Sequence, residues 1–243
     1  TTHTIPNLLS EMDDMGLERA VVLPIALKLP FDSNPTEEWF LEAQASVASE
    51  RLIMFGSVYP GEDDVAETLH AYKELGVVGI KLHPPMQRFY PDSDEAMAVY
   101  QECERLGLPV LFHAGRAGIE PKASRKYANM THYWAPVREF PRLPFIFGHA
   151  GCRMDAEEAL AIAKQHENVW LEISGQGLPN LEKIKRGIDG SRILYGTDWP
   201  YYPLAPALAK VLMITEHDPV LRRMILRDNA IEFLGATGAA MSP

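Results

Sequence analysis

The stretch PVLFHAG at residues 109–115 contains the pattern that decides the fold. Its short apolar run lacks alternating polar residues, which is typical of a strand buried on both faces of a parallel sheet. The run ends in His113, and Gly115 follows two residues later, where it lets the backbone turn sharply away from the strand. The stretch therefore predicts a buried parallel strand with a polar side chain at its carboxyl end.

Six further runs of this kind flank PVLFHAG, and helical patterns fill the gaps between them. The seven predicted strands cover residues 19–24, 53–59, 77–83, 109–113, 144–149, 168–174 and 192–198. Apolar spacing, cap residues and closing glycines predict helices over 6–15, 34–49, 65–75, 92–106 and 218–234, and one more that begins at Asp155. Asp92 with Glu95, and Asp155 with Glu158, have the spacing of a capping box.

Alternating strands and helices indicate a parallel sheet with crossover helices. We expect an α/β fold of the TIM-type (β/α)8 barrel, because 243 residues are close to the roughly 250 that this barrel typically needs. Only seven strands are recognisable, so the first strand is expected to be missing and a closed barrel would need a strand upstream of Thr1. The rival is an open Rossmann-like sheet, but no GxGxxG motif follows a strand. Since no linker is recognisable, we expect one domain over 1–243.

The composition narrows the class of protein. A formal net charge of −10 argues against a nucleic-acid surface, which usually needs a basic stripe. The sequence has no apolar run of about 18 residues that would indicate a membrane span, and no recognisable signal peptide. Cys103 and Cys152 form neither a disulfide framework nor a zinc-finger pattern. We expect a cytoplasmic protein that binds a small-molecule substrate, with a homodimer as one option for its assembly.

Titratable side chains stand at the ends of successive predicted strands. They are Lys81, His83, His113, His149, Glu172 and Asp198, with Ser174 beside Glu172. The carboxyl ends of all strands of a TIM barrel meet on one face, which holds the active site. Neutral imidazole and carboxylate are the usual ligands of zinc, manganese and iron, and a catalytic metal keeps one position for a water that it activates. These residues therefore predict a metal-assisted active site.

The motifs around these residues resemble a known family. LFHAG at 111–115, GHAG at 148–151 and GTDWP at 196–200 are similar to motifs of the amidohydrolase-related group of metal-dependent TIM-barrel hydrolases and decarboxylases. The tail RDNAIEFLG at 227–235 and the segment MDDMGLERAVVLP at 12–24 are similar to that group as well. The resemblance covers nearly the whole chain.

The resemblance implies a role for each matched residue. His113 matches the metal ligand of the family's fifth strand, and Asp198 matches the ligand and catalytic base of its eighth strand. His149 matches the sixth-strand histidine, so His149 and Asp198 are the expected catalytic residues. The implied metal is zinc, with manganese or iron as alternatives. The His-x-His pair of the family's first strand has no match here, and His3 is not assigned to it.

Four further residues are predicted to bind the substrate: Lys81, His83, Arg116 and Trp199. The loops that follow the strands are locally basic, and arginine suits capture of a carboxylate, so we expect a carboxylate-bearing substrate. Each residue also has a structural alternative. Lys81 could form an ion pair at the barrel mouth, His83 could shape its loop, and the loop charges could simply be solvated. Glu172 is expected to point outward by alternation with Ser174.

Three functions fit these observations. The first is hydrolysis of a lactone, ester or amide by a metal-activated water. The second is non-oxidative decarboxylation of an aromatic or unsaturated acid, which the same family supports. The third is a non-catalytic barrel without a complete metal site, which the missing His-x-His pair favours.

Overall fold

The strands of the predicted barrel are present in the computed structural model, which describes residues 4–27, 35–46 and 49–236. Within these ranges the strands are β1 Ala20–Val22, β2 Leu52–Met54, β3 Ile80–Leu82, β4 Val110–His113, β5 Phe145–Gly148, β6 Val169–Glu172 and β7 Ile193–Leu194. All seven predicted strands are thus confirmed, although each is shorter than its apolar run. One reason is that the backbone leaves the extended conformation at some run ends, since φ is +62° at His149 and +56° at Asp198.

The strand order is that of a barrel. β1 pairs with β2, and β3 to β7 pair in sequence order, with every neighbouring pair parallel. A bridge between Gly56 and Ile80 connects the two sheets. A doubly wound sheet would reverse its strand order, whereas this order advances one strand at a time. The TIM-type fold is therefore confirmed over the described ranges, and they contain seven strands, as the sequence predicts.

Helices separate the strands. They are α1 Ile5–Met15, α2 Pro35–Ala45, α3 Val65–Leu75, α4 Pro84–Gln87, α5 Asp94–Leu106, α6 Trp134–Glu139, α7 Ala156–Gln165, α8 Leu178–Gly187, α9 Leu204–Ile214, α10 Pro219–Arg223 and α11 Asn229–Ala236. The sequence patterns did not predict α8 and α9. Their N-cap residues are Gly177 and Pro203, whose side chains cannot accept a capping hydrogen bond. None of the helices in the described ranges is long and apolar enough to cross a bilayer.

Two of the predicted helix starts differ in detail. The N-cap of α5 is Ser93, whose hydroxyl accepts a bond from the Ala96 amide at 3.4 Å, so the capping box expected at Asp92 is wrong by one residue. Asp155 precedes α7 but makes no capping bond. Asp218 caps α10 as expected, at 2.9 Å from the Leu221 amide. The long C-terminal helix is also confirmed, with a π-helical turn over Met224–Asp228 between α10 and α11.

The two faces of the strands carry different side chains. On β4, Val110 and Phe112 belong to the large core cluster that also includes buried residues of the surrounding helices. Leu111 belongs instead to a smaller cluster with Ile146, Leu194 and Phe233. Because residues two apart on a strand share a face, His113 lies on the side of Leu111. His113 therefore continues the inner face beyond its apolar side chains. On β5 the alternation would put His149 on the side of Phe147 in the large cluster, but the backbone turns at His149, where φ is +62°.

Candidate active site

Three histidines predicted from the sequence lie together at the carboxyl ends of neighbouring strands. The ring of His83 stacks on that of His113, with centroids 4.1 Å apart and planes inclined by 7°. The His149 ring meets His113 edge-on at 4.7 Å. Tyr133 supports this group from the loop side, since its hydroxyl donates to the His113 carbonyl at 3.0 Å. The parallel register of β3, β4 and β5 brings these side chains together.

Two glycines allow the loops after β4 and β5 to touch. Gly115 and Gly151 both have positive φ, at +90° and +86°, as the expected sharp turns require. A Cβ on Gly115 would overlap the backbone of Gly151, so the two loops pack backbone against backbone. Gly151 in turn makes room for α7, because a Cβ at that position would crowd Ala156 and Ala159.

The loop His149–Cys152 has an unusual backbone. His149, Ala150 and Cys152 have φ of +62°, +42° and +53°, which non-glycine residues rarely adopt. Gln176 is almost fully buried, and its side-chain amide binds the carbonyl groups of this loop. Its Nε2 donates to the carbonyls of His149 at 2.6 Å and Cys152 at 2.7 Å, and lies 3.4 Å from that of Ala150. The side-chain amide thus offsets part of the cost of the strained backbone.

A carboxylate and a hydroxyl contact His149 from β6. The Glu172 carboxylate accepts bonds from the His149 amide at 3.0 Å, the Ser174 amide at 2.6 Å and the Ser174 hydroxyl at 2.9 Å. The same hydroxyl lies 2.8 Å from His149 Nδ1. The expectation that Glu172 points outward is therefore wrong. Residues 172 and 174 are two apart, so alternation puts them on the same face.

Lys81 and Asp198 are the charged pair of the site. Lys81 is buried, and this desolvation lowers its pKa from 10.5 to about 8, although the charges of Asp198, Glu172 and Cys152 favour the ammonium form. Burial raises the pKa of Asp198, and Glu172 raises it further, while His149 and Lys81 act in the opposite direction. Asp198 therefore holds a proton more readily than an exposed aspartate.

The stacked histidines are neutral at pH 7. Burial lowers the pKa of both His83 and His113 well below the usual range, and neighbouring positive charges lower it further. Within the described ranges, the buried Nδ1 of His83 has no hydrogen-bond partner. His113 Nε2 lies 3.6 Å from the Cys152 thiol, whose own pKa is raised by burial. A nucleophilic role for Cys152 is not expected from the sequence, and this burial agrees with that view.

The remaining two predicted substrate residues lie at the rim. The Arg116 guanidinium binds the buried Asp155 carboxylate, with contacts of 2.5 and 2.9 Å, so its charge is already balanced. Its predicted role in binding a substrate carboxylate stays a prediction, and requires Arg116 to share its charge with Asp155. Trp199 is half-buried, follows Asp198 directly and precedes a cis peptide bond to Pro200.

The described residues do not complete the predicted metal site. Among them, no group of three or more histidine, cysteine, aspartate or glutamate side chains is placed to hold a metal ion. A catalytic zinc usually has three protein ligands, and the resemblance matched only His113 and Asp198 to ligand positions. His3 lies outside the described ranges. Metal binding by His113 and Asp198 therefore stays a prediction.

Comparison with known proteins identifies the family. Residues 31–236 match the model of the amidohydrolase family. A curated relative, the 2-amino-3-carboxymuconate-6-semialdehyde decarboxylase of Dictyostelium discoideum, is 22% identical over 272 aligned positions, which span 92% of this chain and 74% of that protein. The motif-based resemblance is thereby confirmed.

Solved structures have the same fold. An uncharacterised TIM-barrel protein from Bordetella bronchiseptica has a TM-score of 0.81 and 22% identity, covering 97% of this chain and 84% of its own. A probable 2-pyrone-4,6-dicarboxylic acid hydrolase from Acinetobacter baumannii, solved with citric acid, has a TM-score of 0.72 and 16% identity. The match covers 96% of this chain and 89% of that protein. A 5-carboxyvanillate decarboxylase from Novosphingobium aromaticivorans, solved with manganese, has a TM-score of 0.71 and 16% identity. The match covers 94% of this chain and 79% of that protein. Family members are metal-dependent enzymes, mostly decarboxylases and hydrolases.

Proposed function

Because this chain belongs to the amidohydrolase family, we propose that it is an enzyme that removes a carboxylate, as CO2, from a small aromatic or unsaturated acid. The observation that carries the proposal is the placement of Asp198, a carboxyl group with a raised pKa, within the electrostatic reach of the buried cation Lys81. Non-oxidative decarboxylation can use both groups: a cation binds and orients the substrate carboxylate, and an acid gives a proton to carbon.

The names of the relatives support this substrate class. The curated relative and the carboxyvanillate enzyme are named as decarboxylases, and the third protein is named as a probable hydrolase of a dicarboxylic acid. All three names therefore refer to compounds that carry a carboxylate. The same substrate class is expected from the basic loops of this sequence, and Lys81 offers a buried partner for it.

The reaction uses the charged pair of the site. The ammonium group of Lys81 holds the substrate carboxylate and fixes the ring or double bond beside Asp198. Asp198 donates its proton to the carbon that bears the carboxylate. The bond to the carboxyl carbon then breaks, its electron pair returns to the ring or chain, and CO2 leaves. A solvent proton afterwards restores Asp198, so that one carboxylate and one proton give the protonated product and CO2.

Hydrolysis is the second candidate, and the environment of His149 favours it. Its ring is held by the Ser174 hydroxyl at 2.8 Å, which is the arrangement of a base oriented by a neighbouring group. In this reaction His149 takes a proton from a water molecule as the water attacks a lactone carbonyl. Asp198 would then donate a proton to the leaving oxygen. The name of the probable pyrone hydrolase, which has a similar fold, supports this candidate.

Product analysis separates the two reactions. The purified chain is incubated in D2O with hydroxybenzoates and unsaturated carboxylic acids, and with pyrone carboxylates as lactones. Decarboxylation releases CO2 and puts deuterium on the carbon that lost its carboxylate. An Asp198→Asn variant should lose this activity, because the amide cannot donate an acidic proton. Opening of lactones without CO2 release from any acid would refute the first proposal and support the second.

A further inference from the structure

The contact between His149 and Ser174 is part of a longer series of hydrogen bonds that extends to Glu172. The Ser174 hydroxyl oxygen lies 2.9 Å from the Glu172 carboxylate and 2.8 Å from His149 Nδ1, so that it links the two side chains. We propose that Glu172 and Ser174 are positioning residues that fix the tautomer of His149, so that Nδ1 carries the proton and Nε2 presents a lone pair to the substrate. For its catalytic consequence, the inference rests on the proposed function.

The donor and acceptor in each of these hydrogen bonds follow from the number of hydrogens that each group can donate. The Ser174 hydroxyl has one hydrogen and lies between two partners. An ionised carboxylate can only accept hydrogen bonds, and Glu172 accepts two backbone amide bonds besides the one from Ser174. The hydroxyl hydrogen therefore points to Glu172, and its oxygen faces His149 as an acceptor. Nδ1 must then be the donor, which leaves Nε2 without a proton in the neutral ring.

The same carboxylate also fixes the position of the ring. Glu172 Oε2 accepts both the Ser174 hydroxyl and the backbone amide of His149 itself, at 3.0 Å, where φ is +62°. One oxygen thus restrains the main chain and the side chain of the same histidine. Gly196 makes room for this carboxylate, because a Cβ at that position would overlap Glu172 Oε1.

The arrangement has a consequence for either reaction. A neutral ring with its lone pair on Nε2 can accept a proton from water, or a hydrogen bond from a substrate hydroxyl. A base whose tautomer is set by a third group is the general logic of nucleophilic and acid–base sites.

Nitrogen NMR tests the tautomer directly in the full chain. The protein is labelled with 15N-histidine, and a His149→Gln variant assigns the His149 ring signals in a long-range proton–nitrogen spectrum. We expect a protonated Nδ1 and an unprotonated Nε2 in the wild type. Ser174→Ala should abolish this preference, whereas Ser174→Thr, which keeps the hydroxyl, should retain it. A wild-type ring protonated at Nε2, or a Ser174→Ala spectrum identical to that of the wild type, would overturn the inference.

Kinetics test whether the tautomer matters. Ser174→Ala should lower kcat by about 10- to 100-fold, the range typical for loss of the hydrogen-bond partner that orients a metal-ligating histidine, with a much smaller change in KM. Ser174→Thr should recover most of the loss. An unchanged kcat in Ser174→Ala would overturn the positioning role. If no acid or lactone is turned over at all, the proposed function fails, while the nitrogen spectrum still decides the tautomer.

Discussion

Replacement of Lys81 by methionine should remove a defined part of the pH dependence of the protein's stability. Lys81 is 6% exposed, and burial lowers its pKa from 10.5 to about 8. Below pH 8 the lysine is charged in both the folded and the unfolded chain, so the cost of burying the charge is fully present. Between pH 8 and 10.5 the unfolded chain binds the proton and the folded chain does not, so the free energy of unfolding rises with pH. At about 1.4 kcal/mol per pKa unit, the gain over this window is about 3 kcal/mol.

The measurement is the difference between two proteins, because tyrosines also titrate in this window. Urea unfolding of the wild type and of Lys81→Met is followed at several values between pH 7.5 and 10.5. The variant has no charge at this position, so the wild type should gain about 3 kcal/mol relative to it across the window. Lys122→Met, at an exposed lysine, controls for the loss of a lysine in general. A wild-type to Lys81→Met difference that does not change with pH would refute the desolvation of Lys81.

Three further predictions concern the loops around the site. Gln176→Leu should lower the free energy of unfolding by about 2–4 kcal/mol, because the loop carbonyls that the amide holds lose their buried donor; an unchanged urea midpoint would contradict this. Gly115→Ala should lower the free energy of unfolding by about 1–3 kcal/mol more than Gly107→Ala does. Both glycines have positive φ, but of the two only Gly115 has backbone where the new Cβ would lie. Equal losses in urea unfolding would argue against the close loop contact. Arg116→Ala should cost about 3 kcal/mol in the same assay, because the buried Asp155 loses its charged partner, whereas a loss below about 1 kcal/mol would mean that water replaces the guanidinium.

The periodicity of the sequence predicted the strands and the side of the sheet that carries the site. His113 follows Leu111 by two residues, and Leu111 lies in the inner cluster. The pattern of apolar runs ending in polar residues also placed His113 and His149 at the same end of the sheet. Alternation with Phe147 would put His149 on the other face, and the backbone turn at His149, where φ is +62°, was not predicted. Strand alternation puts residues two apart on the same face. Applied correctly, it would also have put Glu172 on the face of Ser174, with which it forms hydrogen bonds.

Contacts between distant loops could not be predicted in this way. Arg116 and Asp155 are 39 residues apart, and their pairing depends on how the loops after β4 and β5 fold over each other. Asp155 has the spacing of a helix cap, so local reasoning gave its carboxylate the wrong partner. Gln176 carries no local signal either, because its three carbonyl partners belong to a loop whose positive φ values are not encoded in any periodicity. Local patterns specify elements, while loop partners depend on the closure of the whole barrel.

The electrostatics of the site favour the acid that we propose as the substrate. On one side, burial keeps the stacked His83 and His113 rings neutral at pH 7, so they offer lone pairs and no net charge. On the other side, Lys81 is a buried cation whose charge is favoured by Asp198 and Glu172. Glu172 is occupied by three hydrogen bonds around His149, and burial favours the protonated form of Asp198. Once Asp198 holds its proton, Lys81 lacks one of its anionic neighbours, and a substrate carboxylate can take that place. Binding of the acid and protonation of Asp198 should therefore favour each other, so that the bound substrate increases the fraction of Asp198 that can donate a proton.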